Sequence, residues 1–357
     1  MATIVANGNG GLAKKEKKSW PVKLIVTHIR PHFDEVLAIH MLKQWGEEFF
    51  PGVEEAEVET WSEGGVLTEY RKLGKTIQNL LEQEGVLTVG TCGGMFDEHG
   101  KEAPTCAHLV AEYLGIVRQP ELQQILQFCK RVDHDGRSMP FDLHSLMKTM
   151  YDFYGDQDDG LQKVLNWAMQ AIESYIFGQK QFFACEKEFE KAGKIISGPI
   201  KIATVQSNNS KINVWLRWKH SPDIIIQRQN SGHTLVFSRP GIKIEMTDVA
   251  RIIRMREMQK RKILSSSWRA LEVSGMSAEC PCWYFYKEAG QLLNGALTAS
   301  EMETTQLSLQ EVAGAVALAC APLVERCEEP RCPGSRCEKY QLGLMACRRK
   351  RYEQKTK

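Results

Sequence analysis

The segment that most constrains the fold is residues 23–45, where an apolar run leads across a polar turn into a helical pattern. Residues 23–27 read Lys-Leu-Ile-Val-Thr, a β-branched run typical of a buried strand. From Phe33 to Trp45 the apolar residues follow helical spacing. We therefore predict that residues 28–35 form a strand-to-helix turn. Open α/β sheets bind their ligands at such turns.

The alternation of strand and helix continues along the first third of the chain. Residues 57–61 alternate in polarity, and residues 85–90 form a third apolar run. Helices are predicted over residues 70–82, 105–114 and 120–130. Because strands that alternate with helices pair in parallel, we predict an α/β domain with a mostly parallel sheet.

The pattern changes near residue 195, after a long predicted helix over residues 161–194 that contains no proline. Strands are then predicted in close succession, over residues 200–205, 212–218, 223–228 and 234–238. Asn230-Ser231-Gly232 is typical of a hairpin turn, and residues 247–264 have a helical pattern. This half of the chain is therefore predicted to be a smaller α+β domain.

The length of 357 residues predicts two domains and two tails. We expect a disordered tail over residues 1–20, domains over 21–195 and 196–320, and a cysteine-rich basic tail over 321–357. A net charge of +2 gives no global attraction to nucleic acid. No apolar run is long enough to span a membrane, and the N-terminus lacks the order of a secretory signal. A reduced, cytoplasmic protein is expected.

Three clusters of histidine and carboxylate residues follow the predicted strands and helices. In the first turn, His28, His32 and Asp34 stand at spacings that a turn allows to converge. The other clusters are residues 93–100, Gly-Gly-Met-Phe-Asp-Glu-His-Gly, and residues 132–136, Val-Asp-His-Asp-Gly. Each alone is also typical of a solvated loop or a helix cap. Together they predict one composite site for two divalent metal ions.

These clusters resemble the motifs of the DHH phosphoesterase superfamily. His28-x-x-Pro31-His32-x-Asp34 is similar to the family's H-x-x-P-D-x-D, with His32 in place of an aspartate. Residues 27–35 also resemble T-H-N-G-x-F-H-x-D-E of the Myg exonuclease branch, and residues 93–97 are similar to the end of its D-V-G-G-x-Y-D. Asp97-Glu98-His99 resembles the D-H-H motif, and Asp133 matches the last metal-ligand aspartate. The resemblance covers residues 22–136.

The resemblance implies a DHH-like first domain in which water attacks a phosphodiester or a phosphoanhydride. The metal is expected to be Mn²⁺ or another divalent transition metal. The residues that the motifs assign to it are His28, His32, Asp34, Asp97, His99 and Asp133.

Two further residues are candidates for catalysis. His134 is the candidate general acid or phosphate contact, and Arg30 could bind a phosphate through two hydrogen bonds. A loop histidine and a surface arginine are the alternative interpretations.

The sequence departs from the family pattern at one position. The strand that ends in a metal-bridging aspartate in the family ends here in Thr91-Cys92. Asp97 could take the bridging role, Glu98 or Asp135 could compensate, or activity could be lost.

The second domain carries weaker signals for substrate binding. Ser231-Gly232-His233 resembles the G-G-H loop of the second domain in DHH proteins, although the same residues also suit an ordinary turn. Arg251 and Arg254 lie on the basic helix predicted over residues 247–264 and could guide a polyanionic chain. A solvated basic face is the alternative for that helix.

The tail over residues 321–357 is rich in cysteine. Four thiols in this short segment, with basic residues after them, predict a structural site for Zn²⁺ or an iron–sulfur cluster, with free thiols as the alternative. The four cysteines are Cys327, Cys332, Cys337 and Cys347.

The sequence as a whole therefore predicts a metal-dependent phosphodiesterase or exonuclease that acts on nucleic acid or nucleotides. The alternative is a catalytically inactive DHH fold that binds nucleotides or nucleic acid. No membrane partner is expected, and a homodimer is left open.

Overall fold

The computed structural model describes residues 19–62, 72, 74–155, 157, 159–241, 244, 246–264, 267–295, 299 and 301–320. The chain divides into two units, residues 1–180 and residues 181–357. Most of the predicted N-terminal tail and all of the tail over residues 321–357 lie outside the described residues. The four tail cysteines, Cys327, Cys332, Cys337 and Cys347, lie outside them too.

The first unit is built on a three-stranded parallel sheet. Strand β1 (Leu24–His28) lies between β2 (Glu57–Trp61) and β3 (Val86–Thr88), and both neighbours run parallel to it. The central residues of β1 are buried. The predictions of a parallel sheet and of an α/β fold are confirmed. The carboxyl ends of all three strands therefore meet at one edge of the sheet.

Helix α1 (Phe33–Trp45) follows β1 directly, as predicted, and residues 33–42 are all buried. A helix that is buried on every side occupies the centre of a unit, so the polar residues of its first turn are held away from bulk water. Further helices described within this unit are α2 (Ile77–Asn79), α3 (Cys106–Tyr113), α4 (Pro120–Val132) and α5 (Leu143–Tyr154).

The helix predicted over residues 70–82 is only partly recovered. Residues 70, 71 and 73 lie outside the described residues. Helix α2 begins at Ile77, capped by the side chain of Thr76, and continues as a π-helical turn, Leu80–Glu84. Gly85 ends this turn in the left-handed conformation and leads into β3.

Helix α6 (Gly160–Ala192) runs past the division between the units, which falls between Lys180 and Gln181. The division therefore lies inside this helix, whereas the sequence placed the domain boundary near residue 195. The physical reason is the packing of the last turns of α6, since Cys185 and Phe189 join a core cluster with Trp215 of the second unit.

The second unit contains a seven-stranded mixed sheet. Its strands are β4 (Gly193–Ile196), β5 (Ile202–Gln206), β6 (Ile224–Arg228), β7 (Thr234–Ser238), β8 (Gly275–Met276), β9 (Tyr284–Tyr286) and β10 (Gln291–Asn294). They lie in the order β4-β5-β6-β7-β10-β9-β8, and β5 and β6 are the only parallel neighbours in this sheet. Its helices are α7 (Ile212–His220), α8 (Met246–Lys260), the short 3₁₀ helix Trp268–Leu271, and α9 (Leu309–Cys320).

The strand predicted over residues 212–218 is wrong, because this segment is helix α7. Its β-branched and aromatic residues favour a strand. Its buried residues, Ile212, Trp215 and Leu216, instead stand at helical spacing. The hairpin turn predicted at residues 230–232 joins the antiparallel strands β6 and β7 and is confirmed.

Helix α8 does not present Arg251 and Arg254, the two proposed substrate contacts, to solvent. Arg251 and Arg254 are 1% and 0% exposed. Arg251 pairs with Asp248 and with Glu272. Protein partners hold the charges of both residues inside the unit, and their role in substrate binding stays a prediction.

Arg254 holds together the segment that follows α8. Its guanidinium donates hydrogen bonds to the backbone carbonyls of Leu271, Val273, Gly275 and Trp283.

On the same helix, Glu257 accepts hydrogen bonds from the backbone N–H of Gln306 at 2.9 Å, from the side chains of Trp283 and Arg261, and from Thr305. These buried groups therefore satisfy one another.

No helix among the described residues combines the length and the apolar character needed to cross a membrane.

We expect Arg254→Leu to destabilise the protein by roughly 3–5 kcal/mol, because it leaves several buried carbonyls without a donor. The control is Arg239→Leu, which removes a guanidinium that is 41% exposed and pairs with Asp223 at 3.1 Å. That change should cost at most about 1 kcal/mol. Urea denaturation followed by circular dichroism measures both. Equal losses would show that the Arg254 network does not hold the segment.

Candidate metal centre

The centre begins where β1 passes into α1. Glu35, in the first turn of α1, is 3% exposed, and its Oε1 lies 2.7 Å from Nε2 of His28. Its Oε2 accepts a hydrogen bond of 2.5 Å from the backbone N–H of His32, the residue that caps the helix. Glu35 thus ties the last residue of the strand to the first turn of the helix. The rings of His28 and His32 pack edge to face, 4.9 Å apart.

Asp34 lies deeper than its neighbours and is 1% exposed. Its Oδ2 accepts a hydrogen bond of 3.1 Å from the thiol of Cys106, which stands at the start of α3. Its Oδ1 is buried and has no hydrogen-bond partner among the described residues. Burial raises the pKa of Asp34 well above its usual range, and the nearby carboxylates of Glu35 and Asp133 raise it further.

The loop after β3 brings a second set of candidate ligands to the same edge of the sheet. Both oxygens of Asp97 are occupied within this loop, since Oδ2 accepts from the backbone N–H of Gly93 at 2.6 Å and Oδ1 from the ring of His99 at 2.8 Å. Burial alone would raise the pKa of Asp97, but these hydrogen bonds outweigh it and lower the pKa. Asp97 therefore shapes the loop and orients His99.

Glu98 is the residue of this loop that faces the buried carboxylate of Asp34. Its Oε2 is buried without a hydrogen-bond partner among the described residues. Burial raises its pKa, and the charge of Glu35 adds to the effect. One carboxylate oxygen of Glu98, one of Asp34 and the sulfur of Cys106 all lie within 4.8 Å of one another.

Asp133, at the carboxyl end of α4, closes the arrangement, with its Oδ1 3.7 Å from Nδ1 of His32. Among the described residues, four overlapping groups of His, Cys, Asp and Glu have ligand atoms within 4.8 Å of one another. These groups are His28, His32 and Glu35; His32, Asp34 and Asp133; Asp34, Glu98 and Cys106; and Asp97, Glu98 and His99.

A cleft of about 820 Å³ opens onto these side chains. Trp61, the last residue of β2, lines it together with His28, His99 and Asp133. A second cleft of about 270 Å³ shares His32 and is lined by Arg30, His144 and Lys148.

The site requires a glycine at position 90. Gly90 has a φ of +66°, and a Cβ at this position would lie 2.4 Å from Cγ of Glu35. The Glu35 side chain therefore occupies the space beside the end of β3. Two non-glycine residues also adopt the left-handed conformation in the loops of the site, Arg30 at φ 54° and Cys92 at φ 67°. Such strained positions concentrate at functional sites.

The residues present fit a divalent metal. Several carboxylates converge where burial makes their charges costly, and two buried oxygens, on Asp34 and Glu98, lack partners among the described residues. A cation would satisfy both oxygens and offset the repulsion between the carboxylates.

The structure brings together the six residues that the sequence proposed as ligands, His28, His32, Asp34, Asp97, His99 and Asp133. The two candidate catalytic residues belong to none of the ligand groups among the described residues. Arg30 pairs with Asp152 at 3.0 Å and faces the smaller cleft, and His134 is exposed.

Sequence reasoning missed Glu35 and Cys106. For Glu35 a signal existed, because an acidic residue three positions after a helix cap often reaches back to it. No spacing in the sequence links Cys106 to Asp34.

In the second unit, His233 is 5% exposed and lies between two protein partners. Its Nδ1 is 2.9 Å from the hydroxyl of Ser231, and its Nε2 is 2.9 Å from the carbonyl of Met302. Its role in substrate binding stays a prediction. The thiols of Cys280 and Cys282 are buried and 3.9 Å apart.

No protein-family model matches the chain, and no curated protein matches it. Among solved structures, it is similar to an uncharacterized protein from Helicobacter pylori, with 12% identity and a TM-score of 0.20 over 64% of this chain and 89% of that one. It is also similar to the DHH domain of a member of a family of ribosomal proteins, with 11% identity and a TM-score of 0.26 over 83% of this chain and 86% of that one. Both likenesses are too distant to assign an activity to this chain.

We expect Gly90→Ala to disturb the metal centre and Gly93→Ala to leave it intact. Both glycines are left-handed, at φ +66° and +67°, so each substitution should cost roughly 1–2 kcal/mol of backbone strain. Only Gly90→Ala places a methyl group against Glu35, since no atom lies within 4 Å of the new Cβ at Gly93. Calorimetric titration with Mn²⁺ should show roughly 10–100-fold weaker binding for Gly90→Ala alone. Equal affinities would contradict the placement of Glu35.

We expect Asp34→Asn and Asp97→Asn to change the stability of the metal-free protein in opposite directions at neutral pH. Because the pKa of Asp34 is raised, this group stabilises the fold when protonated, and that stability is lost as the pH rises through the raised pKa. Asparagine carries no charge at any pH, so it removes the cost of burying the carboxylate and raises the Tm at neutral pH. The lowered pKa of Asp97 means that its charge stabilises the fold above its usual pKa, so Asn lowers the Tm by roughly 2–4 °C.

Thermal scans in the presence of a chelator measure both variants. The difference between wild type and Asp97→Asn should shrink as the pH falls through the pKa of Asp97. A lower Tm for Asp34→Asn at neutral pH would show that its carboxylate is satisfied without a cation.

Proposed function

We propose that the protein is a metal-dependent phosphoester hydrolase of the DHH type that acts on nucleotides or nucleic acid. The observation that carries the proposal is the buried Oδ1 of Asp34, which has no hydrogen-bond partner among the described residues and lies among histidines and carboxylates at the carboxyl edge of a parallel sheet. The motif resemblance over residues 22–136 supports the same chemistry. Its expected metal is Mn²⁺ or another divalent transition metal.

The ligand sets divide into an outer group and an inner group. His28, His32 and Glu35 form the outer group beside the open cleft, and Asp34, Glu98 and Cys106 form the inner one. His32, which belongs to the outer group, also forms a ligand group with Asp34 and Asp133. When bound, a pair of divalent ions lowers the pKa of a water molecule and neutralises charge on the phosphate.

The protein's own residues prepare the site for this chemistry. The Glu35 carboxylate holds the ring of His28 through its contact with Nε2, and the Asp97 carboxylate holds the ring of His99 through its contact with Nδ1. A ring that is already held in place loses less conformational entropy when it binds a metal ion, so these carboxylates position the histidines in advance. With a cation bound in place of the carboxyl proton, Asp34, which is 1% exposed, supplies negative charge that water screens little.

Two features beside the metal set favour a nucleotide over a small inorganic phosphoanhydride. Trp61 lines the same cleft as His28 and His99, and an indole is a surface on which a base can stack. Arg30 and Lys148 line the adjoining cleft, which shares His32, and provide positive charge for further phosphates.

A catalytically inactive module that binds nucleotides is the second candidate, and Thr91 favours it. Thr91 is fully buried at the position where the resemblance expects a metal-bridging aspartate. The carboxylates of Glu35 and Glu98 lie near this loop, so we propose that they replace the missing charge.

The test is turnover of single-stranded RNA, DNA, dinucleotides and pyrophosphate, with Mn²⁺ added to chelated protein. We expect metal-dependent release of nucleotides, and a loss of more than about 100-fold in kcat/KM for Asp34→Asn. Trp61→Ala should weaken turnover of nucleotides and spare pyrophosphate. The control is Asp159→Asn, which removes an exposed carboxylate that pairs with Lys163 at 2.9 Å, lines neither cleft and belongs to none of the ligand groups among the described residues.

Nucleotide binding without turnover would establish the inactive module. If neither metal nor nucleotide binds, the proposed function is wrong.

A further inference from the structure

The inner ligand group differs from the outer one in containing a thiol. Cys106 is fully buried, at the first position of α3, and its sulfur lies 3.1 Å from Oδ2 of Asp34. Glu98 completes the group, and the three ligand atoms lie within 4.8 Å of one another. We propose that Cys106 is a direct metal ligand, so that the inner position prefers a thiophilic divalent ion such as Zn²⁺, Fe²⁺ or Co²⁺ over Mn²⁺.

The proposal rests on the proposed function only in assuming that the centre binds metal. The spacing suits a single ion. An ion about 2.3 Å from a thiolate sulfur and about 2.0–2.2 Å from carboxylate oxygens needs ligand atoms no more than about 4.5 Å apart. The Cys106 sulfur lies 3.1 Å from Oδ2 of Asp34, and the three ligand atoms all lie within 4.8 Å of one another, so small side-chain movements bring them within reach of one ion.

The surroundings of the thiol also point to a ligand. Asp34 is 1% exposed, and its Oδ1 has no hydrogen-bond partner among the described residues. Oε2 of Glu98 is also buried without a hydrogen-bond partner among them. Among the described residues, the Cys106 thiol is the one non-acidic side chain that donates a hydrogen bond to the Asp34 carboxylate, and a thiol is a weak donor. A bound cation would satisfy both oxygens and take up the sulfur as a thiolate, with the thiol proton released to solvent.

The chemistry of the donors sets the metal preference. Thiolate is a soft ligand that selects zinc, iron and related ions, whereas carboxylate and water suit Mn²⁺. The outer group of His28, His32 and Glu35 contains no sulfur and does not share this bias. The two positions are therefore expected to differ in metal preference within one centre.

A second buried thiol offers a matched control. Cys129, on α4, is also fully buried, and its sulfur lies 3.6 Å from the hydroxyl of Thr105, the residue before Cys106. It belongs to none of the ligand groups found among the described residues. Cys106→Ser and Cys129→Ser therefore remove equivalent buried sulfurs from one neighbourhood, and only the first removes a proposed ligand.

The test is Co²⁺ titration of the full-length, chelated protein under anaerobic and reducing conditions, followed by absorption spectroscopy. Wild type should show a sulfur-to-cobalt charge-transfer band. Part of this band should be lost in Cys106→Ser and, by the same amount, in Asp34→Asn, whereas Cys129→Ser should keep it. Any contribution from cysteines elsewhere in the chain would not depend on Asp34.

A competition experiment provides a second readout that does not need activity. Cys106→Ser should lower the affinity for Co²⁺ by at least about tenfold and change the affinity for Mn²⁺ much less. His32→Gln, which alters the outer group, should retain the thiolate band with fewer ions bound. Because a band from other cysteines would not depend on Asp34, Asp34→Asn tests the inner position even if Cys106→Ser fails to fold.

The outcomes separate the two proposals. The inference would be overturned if Co²⁺ binds stoichiometrically but no sulfur-to-cobalt band depends on both Cys106 and Asp34. That result would leave the proposed function standing. A protein in which neither Co²⁺ nor Mn²⁺ binding depends on Asp34 would overturn the proposed function as well.

Discussion

Asp34 is a carboxylate buried on the first turn of a helix that is itself buried on every side. A charge in such a place is costly unless it is paired, and the neighbours of Asp34 are mainly other acids. The parallel sheet brings the turn after β1 and the loop after β3 to one edge, so this crowding follows directly from the topology. The metal proposal, the thiol at Cys106 and the ties made by Glu35 all depend on how that charge is satisfied.

The second unit shows how this protein treats a buried acid that has only a structural role. Glu257 is fully buried, yet it accepts hydrogen bonds from Arg261, Trp283, Thr305 and Gln306. These donors lower its pKa despite burial, which alone would raise it. Asp34 has no comparable set of donors among the described residues, and its pKa moves the other way. The contrast within one chain supports a partner for Asp34 that the described part of the chain does not supply.

The sequence predicted the parts of the fold that local pattern controls. The apolar run before His28 and the helical spacing after Phe33 correspond to β1 and α1, and the clusters after them converge because parallel strands share an edge. Other features depend on contacts that local pattern does not contain. Residues 212–218 are β-branched and aromatic but pack as a helix, and Arg254 is basic but is enclosed by carbonyls from residues 271–283. Cys106 reaches Asp34 only through the packing of α3 against α1.

The contact between Gly90 and Glu35 links two distant positions of the chain. The Glu35 side chain fills the space that any side chain at position 90 would need. A larger residue at 90 therefore becomes tolerable only together with a shorter residue at 35, and that change would also release His28. In an alignment of relatives, these positions should accordingly vary as a pair.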